Sequence, residues 1–584
     1  VPRVRDETIA AMLLDRLGDT RPGLRSRERT WSWDEVVRES AARASLARGL
    51  RRNSPVSCEG ATPRSPRNSP VSCEGATPRS PRNSPFHIGV LLENVPEYVL
   101  WLGAAALGGA TIVGINPTRT GAYLEQEVRH TDLQLVVTDR AGLELLDGLD
   151  IGVPRDRFLL VDDDGYPELV AAHACEPEPD ESITPETQLL LLFTSGTTGA
   201  SKAARCSQGR LAELGRANSA KYDVKREDVS YCPMPLFHGN ALMALWAPSL
   251  AVGATVVLAR RFSASGFLPD VRYYGATFFT YVGKAIGYVL ATPERPDDGD
   301  NTLTHGFGTE ASPEDKAEFL RRFGARLVEG YGSSESAGMI RRDPQAPPSA
   351  LGRPAHDGVR IVNPETRETC APADLDGHGR VTNAEAAVGE IVDVHGAAGF
   401  EGYYRNPEAD AERVRHGWYW TGDLGYVDGD GFLYFGGRSG DWIRVDSENI
   451  SALVTQNVVR RHPRIVDAVA FGVPDPRSGD QVMAAIEIPE GVEFEDLDLP
   501  AFLARQDDLG TKGAPRFVRV SHALPTTGSG KLRKKELQLD GWRTSDPVFR
   551  WAGRGSPEYV LMTEADKAAL REEFTAAGRG RFLP

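Results

Sequence analysis

Three observations predict an α/β protein made of a large unit followed by a smaller one. Short apolar runs rich in β-branched or aromatic residues, at 134–138, 254–258, 276–281 and 325–329, alternate with helix-like segments. That is the pattern of largely parallel sheets covered by helices. The chain's 584 residues exceed what a single hydrophobic core serves, so two or three domains are expected. After about residue 380 turn signals crowd together, with DGDG at 428–431, GG at 436–437 and SG at 439–440, and a boundary falls near Arg438–Asp441.

Taken in chain order, the opening stretch VPRVRDETIAAMLLDRLGD reads as a short amphipathic helix, too charged for a signal peptide. A helix-like segment at 35–50 and the strand-like HIGVLLEN flank a repeat. RNSPVSCEGATPRSP occurs at Arg52–Pro66 and again, unchanged, at Arg67–Pro81. Its Pro, Ser, Arg and Gly cannot build a core, so the insert at 52–85 reads as a disordered surface loop left by a duplication in the coding DNA. The uncharged stretch YVLWLGAAALGGATIVGI (98–115) reaches the lower length limit of a membrane span. Gly108-Gly109 divides it, and helix, turn and strand of an α/β core is the reading.

Residues 189–193 read as a buried strand running into Thr194–Gly199, a loop of Thr, Ser and Gly alone, with Lys202 beyond it and a helix near 208–219. Gly196 and Gly199 let the backbone approach a ligand closely, and the loop's hydroxyl and N–H groups can form an anion nest. Strand, loop, Lys and helix in that order suggest a phosphate cradle. On local grounds a surface turn of small polar residues is the alternative. No Gly-Lys-Ser/Thr follows at the spacing of a Walker A loop. In the smaller unit, a helix-like segment at 449–461 and strand-like ones at 466–472 and 481–488 precede a basic segment, GSGKLRKKEL.

The formal net charge of −15 argues against a general nucleic-acid binder. Six cysteines, at 58, 73, 175, 206, 232 and 370, form no CxxC pair. That fits a reducing cytoplasm without a disulfide framework or zinc site.

Four stretches carry more. They are FTSGTTGASK (193–202), EGYGSSES (329–336), WYWTGDLGYVDGDGFLYFGGR (418–438) and LPTTGSGKLRKKEL (524–537). In this order and spacing they resemble the adenylate-forming (AMP-binding) superfamily of acyl-CoA synthetases, adenylation domains and luciferases. The resemblance runs from about Asp34 onward, apart from the repeat. RRFSASGFLPDVRYYGATFFTYVGKAIGYVL (260–290) and the tail, DPVFRW with YVLMTEADKAAL, resemble the very-long-chain acyl-CoA synthetase or fatty-acid transport protein group. The resemblance implies an N-terminal AMP-binding domain over 1–438, a hinge at 439–440 and a mobile α+β C-terminal domain over 441–584. It implies an ATP-dependent fatty acid–CoA ligase that turns a long or very long chain acid, or another bulky apolar acid, into an acyl-adenylate and then acyl-CoA, AMP and pyrophosphate. Three alternatives stay open: a fatty acyl-AMP ligase serving a carrier protein, a steroid side-chain acid–CoA ligase, and a non-catalytic fatty-acid binding or transport protein. The implied ligands are the apolar acid, ATP, Mg²⁺ and coenzyme A, and the implied setting is the cytoplasm with peripheral membrane contact open.

Joining a carboxylate to AMP supplies the leaving group it lacks, and both steps need charge stabilised on moving oxygens. By resemblance, Thr194, Ser195, Gly196, Thr197, Thr198, Gly199 and Lys202 would hold the β- and γ-phosphates. Tyr331 would stack on adenine, with Gly332 permitting close approach and Ser333 in the same loop. Ser334 would donate to the α-phosphate, and Glu335, with Thr194, would hold Mg²⁺, a hard cation that prefers oxygen ligands. Gly308, Thr309 and Glu310 would form the other wall of the adenine slot. Asp423 would accept both ribose hydroxyls, and Arg438 would add a donor. His238 would gate an acyl tunnel lined by 236–250 and 278–288. Lys531 would offset the repulsion between carboxylate and α-phosphate. The chain departs from the superfamily pattern in Ser201-Lys202-Ala203, where Pro-Lys-Gly is usual, and in Ser447, where a glycine beside the pantetheine arm is expected.

Overall fold

The alternating segments form two mainly parallel sheets in the computed structural model. It describes residues 7–583 other than 53–84, 179, 195–201, 310, 312, 336–338, 342, 344, 348, 378–380, 397–398, 439–441, 446–447, 477–479, 507–508, 510–512, 528–531, 554–557, 578 and 581–582. One sheet runs Phe158–Leu160, Leu135–Thr138, Phe86–Leu91, Ala110–Gly114, Gln188–Thr194, Lys202–Ser207. Its neighbours are parallel except the last pair. The other runs Arg326–Glu329, His305–Thr309, Phe278–Val282, Val229–Cys232, Thr255–Leu258, Pro22–Arg25, Thr30–Ser32, again parallel except the last pair. Leu135–Thr138 and Phe278–Val282 are buried at every position, as parallel strands covered on both faces must be.

The stretch 98–115 divides as its glycines dictate. A helix, Pro96–Gly108, opens on Pro96 and closes at Gly109, whose φ of 64° is left-handed, and the strand Ala110–Gly114 follows. It packs on the helix Trp33–Arg52. A Cβ on Gly103 would lie 2.3 Å from Ser40 Oγ, so this contact admits only glycine there. Among the described residues no helix is long and apolar enough to cross a membrane.

An antiparallel sheet completes the large unit, in the order Val359–Val362, Gly389–Asp393, Trp418–Val427, Val414–Arg415, with Leu433–Arg438 also paired to Trp418–Val427. Beyond it come a hairpin, Trp442–Val445 with Glu448–Ser451, and a five-stranded sheet, Asp467–Pro474, Asp480–Glu487, Phe517–Ser521, Val548–Trp551, Tyr559–Leu561. This second unit has its own core, including Phe471, Met483, Val518 and Phe549.

One local expectation is corrected and one strand is added. The helix expected over 449–461 starts only at Ala452, because Glu448–Ser451 is tied to Trp442–Val445 in an antiparallel ladder. The helix expected near 208–219 forms as Gln208–Lys221, and a strand not foreseen in the sequence precedes it. Lys202–Ser207 is a strand pairing Thr194 with Lys202 and Gln188 with Ser207, and the helix Gln208–Lys221 comes after it. Ala203, Ala204, Cys206 and Ser207 are buried and Arg205 is exposed, so the strand is set by its ladder with Gln188–Thr194 and not by an alternating pattern. Thr194 and Lys202, on either side of the loop, therefore face each other across the ladder. The repeat at 53–84 and the hinge at 439–440 lie outside the described residues.

Candidate active site

The hairpin's second strand draws the first part of the site together. Arg205 N donates to Gly402 O at 3.0 Å and Tyr404 N to Ala203 O at 2.8 Å, so residues 402–404 run beside it. Tyr403 is thereby buried next to the loop base. Its hydroxyl donates to Glu335 Oε1 at 3.0 Å and accepts from Arg413 Nε at 3.2 Å. The Arg413 guanidinium also reaches Thr421 O. One buried phenol and one guanidinium thus connect the EGYGSSES carboxylate to the WTGD turn. Lys202 Nζ lies 5.5 Å from the centre of the Tyr403 ring and pairs with Glu412 Oε2 at 2.8 Å.

The WTGD turn is fixed from several sides. Thr421 Oγ1 donates to Ile391 O at 2.8 Å, Gly422 N to Glu390 Oε1 at 2.7 Å, and Asp423 N to Thr421 Oγ1 at 3.1 Å. Tyr331 OH donates to Asp423 Oδ2 at 2.8 Å, so the residue expected at adenine and the one expected at ribose touch. Arg438 stands opposite Asp423 in the strand ladder. Ser334 O accepts from Arg210 at 2.9 Å. A Cβ on Gly239 would lie 3.0 Å from Ser334 Oγ, which places the His238-Gly239 turn against the same loop. His238 caps this turn, its Nδ1 accepting from Asn240 N at 3.3 Å.

Electrostatics keep the two phenols as donors. Burial first, and then the Asp423 charge, raises Tyr331; burial first, and then Glu335, raises Tyr403. Burial opposes the charge on Arg413, but its Tyr403 and Glu335 neighbours override that and raise its pKa. The hydrogen bond from Lys202 lowers Glu412. Burial raises Glu390 despite its bond from Gly422 N.

The geometry thus brings together Thr194, Lys202, Tyr331, Ser334, Glu335, Asp423 and the backbone of Arg438, with His238 and Gly239 at their edge. Gly308 and Thr309 end the strand His305–Thr309, and Gly308 O accepts from Gly330 N at 3.1 Å, so GFGT adjoins the EGYG loop. Gly332 and Ser333 lie in that same loop, where Ser333 Oγ accepts from Glu335 N at 3.2 Å. Ser195, Gly196, Thr197, Thr198, Gly199, Glu310 and Lys531 lie outside the described residues. Tyr403, Glu412 and Arg413 were missed by sequence reading. They stand in EGYYRNPEADAERVR, where no motif marks them and only the fold shows that they face the hairpin.

The oxygen donors Thr194 and Glu335 suit a hard cation. A different cluster, His356, Asp357 and His395, has ligand atoms within 4.8 Å of one another. Tetrahedral ligands at zinc distances stand roughly 3.4 Å apart. Each histidine here faces a carboxylate, Asp393 or Asp357, at 3.7 Å, and all three residues of the cluster are exposed.

The AMP-binding enzyme family profile matches residues 83–404, and that of the AMP-binding enzyme C-terminal domain matches 455–531. The chain belongs to the AMP-binding enzyme family. It is an acid–thiol ligase that uses ATP and CoA. Steroid-22-oyl-CoA synthetase of Rhodococcus jostii (strain RHA1) is 62% identical over 577 residues, 99% of each chain. Medium/long-chain-fatty-acid–CoA ligase FadD17 of Mycobacterium marinum (strain ATCC BAA-535 / M) is 41% identical over 463 residues, 79% of this chain and 88% of the relative. The anthranilate CoA ligase AuaEII in complex with anthranoyl-AMP shares the fold, with a TM-score of 0.74 at 18% identity, covering 91% of this chain and 96% of that one.

Proposed function

We propose that this ligase activates a steroid side-chain acid whose carboxyl is carbon 22, through an acyl-adenylate to the CoA thioester. The observation that carries this reading is the 62% identity to the steroid-22-oyl-CoA synthetase across 99% of both chains. Physical support comes from the region beside the Phe278–Val282 strand. Pro233, Met234, Phe262, Phe267, Phe279 and Tyr281 line an apolar space, and rigid rings suit a rigid polycycle. These side chains close on one another and leave no room even for a water molecule, whereas pockets that hold drug-sized ligands enclose roughly 300–1,000 Å³. The acid must therefore part these side chains on binding. The five-residue π-helical stretch Leu242–Trp246, a wide turn of the kind found at functional sites, lies against that strand.

In this reading the acid's carboxylate attacks the α-phosphorus, pyrophosphate leaves, and the CoA thiol then displaces AMP from the carbonyl. The loop 194–199 and Lys202 hold the β- and γ-phosphates, which requires the Lys202–Glu412 pair to open. Tyr331 and Asp423 take the nucleoside, with Gly308, Thr309, Glu310, Gly332 and Arg438 around it. Ser334 bonds the α-phosphate, and Lys531 offsets the repulsion between the two anions as they meet. His238 stands at the mouth of the acyl site. Glu335 and Thr194 would hold Mg²⁺, which when bound supplies positive charge to the phosphate oxygens. Tyr403 and Arg413 position Glu335. The two units divide at 439–440, so the smaller can turn between the half-reactions.

The second reading, a medium- or long-chain fatty acid, is favoured by the 41% identity to FadD17. CoA-dependent AMP release across steroid side-chain acids and medium to very long chain fatty acids separates the two. The proposal expects kcat/KM for a steroid-22-oic acid to exceed that for every fatty acid by at least about tenfold, or 1.4 kcal/mol. A fatty acid turned over as well would overturn it.

A further inference from the structure

The helical stretch that follows His238 changes its winding part-way. Gly239–Ala241 is α-helical, Leu242–Trp246 is a π turn, and Ala247–Val252 is α-helical again. Pro248 explains the change. It has no N–H, and its ring crowds the carbonyl four residues back, so α winding cannot run through it unaltered. Ala247 N instead donates five residues back, to Leu242 O. Met243 O would next take the N–H of residue 247 or 248. The first is spent on Leu242 O, and proline has none. Asn218 Nδ2 supplies the donor, reaching Met243 O at 2.9 Å. It can do so because its own helix, Gln208–Lys221, comes very close. A Cβ on Gly215 would lie 2.8 Å from Ala247 O, and Asn218, three residues on, shares that face. The turn also belongs to the wall of the acyl site. Asn240 Nδ2 donates to Tyr281 O at 3.2 Å, and Leu242 and Met243 share one buried cluster with Met234 and Ala285. Tyr281, Met234 and Ala285 all line the apolar space assigned to the acid.

We propose that Asn218 is a specificity-determining residue: from behind the acyl site it keeps the π turn wide and so fits the wall to a rigid acid. This rests on the acyl site assigned above. The physical argument is geometric. The π turn holds one residue more than α winding would. Each helical residue advances the chain by about 1.5 Å and turns it by about 100°. Without the Asn218 amide, Met243 O is a buried carbonyl with no donor, which is costly. Rewinding the turn relieves that cost, because Met243 O then takes the Ala247 N–H. Leu242 and Met243 would move by about one residue's rise and rotation relative to Ala247–Val252. An alkyl chain follows such a shift by rotating its own bonds. A fused ring system cannot.

Asn218→Leu keeps the size of the side chain and removes the donor. With this variant kcat/KM for a steroid-22-oic acid should fall about tenfold or more, the worth of one misplaced methylene in an apolar pocket. For medium and long chain fatty acids it should stay within about twofold, and KM for ATP should not change. Asn218→Asp keeps shape and polarity without the donor. It should move the steroid-to-fatty-acid ratio in the same direction, and it carries the test should Asn218→Leu not fold. An equal loss for every acid is what a purely structural role would give, and it would overturn the proposal, as would an unchanged ratio. The parent's own ratio keeps the two claims apart. A parent that turns over a fatty acid as well as the steroid acid contradicts the proposed substrate, while a ratio that still moves in the variants upholds the role of Asn218. A parent that prefers the steroid acid, with variants that keep its ratio, sinks Asn218 alone.

Discussion

Thr280 sits at the centre of the strand Phe278–Val282 with no exposed surface, and its hydroxyl has no hydrogen-bond partner among the described residues. Nearby, Asn240 Nδ2 donates to Tyr281 O at 3.2 Å while its Oδ1 has no partner there. A buried orphan hydroxyl costs about 1–3 kcal/mol, and an oxygen on the substrate's ring system would offset that cost. Thr280→Val should therefore stabilise the free protein by about 1 kcal/mol, read by denaturant unfolding. It should also lower kcat/KM about tenfold for steroid acids with a ring ketone or hydroxyl, and leave alkyl acids unaffected. Destabilisation, or an equal loss for alkyl acids, would refute this pairing. At this scale the sequence was readable where a residue sits inside a motif, as Glu335 and Asp423 do. It was not readable for Tyr403 and Arg413, whose contacts are with residues far along the chain and leave no local pattern.

The strands His305–Thr309 and Phe278–Val282 show how an element can hide a second role for a residue read as a ligand contact. Phe279 stands opposite Gly306 and Tyr281 opposite Gly308 in the parallel ladder. Each glycine lies under the ring across from it: a Cβ on Gly306 would come within 2.5 Å of Phe279, and one on Gly308 within 2.4 Å of both the ring and the carbonyl of Tyr281. Tyr281 OH in turn donates to Glu329 at 2.8 Å, next to the EGYG loop. Gly308→Ala must move backbone, so it should destabilise by about 1–3 kcal/mol and raise KM for ATP. Gly377→Ala, where a Cβ meets nothing within 4 Å, should do neither. Thermal unfolding and ATP saturation curves check both, and a neutral Gly308→Ala would show that the strand spacing adapts. Element type was largely legible, because buried parallel strands are near-continuous apolar runs. The strand Lys202–Ser207 was not foreseen because its short run of Ala, Arg and Cys carries no strand pattern of its own, and its pairing with Gln188–Thr194 is what makes it a strand.

For the whole molecule, two units with separate cores meet through contacts that include Tyr288 with Glu487 and Arg461 with Glu314. Polar contacts of this kind let units reorient, as the proposed reaction requires, in which Lys531 is assigned to one step and the Ser447 loop to the other. The order of the four motifs made the enzyme class legible in the sequence. The acid was not, since the apolar lining at 236–250 and 278–288 would serve an alkyl chain or a polycycle alike. The claim that joins class and substrate is that a steroid-22-oic acid passes through an acyl-adenylate. Label the carboxyl of that acid with oxygen-18 and supply ATP and CoA. Attack of the carboxylate on the α-phosphorus, followed by thiol displacement at the carbonyl, leaves one acid oxygen on the departing phosphate. Mass spectrometry should find a single labelled oxygen in AMP and none in pyrophosphate, with one AMP formed per acyl-CoA. Unlabelled AMP, or label in inorganic phosphate with ADP as the nucleotide product, would contradict the account.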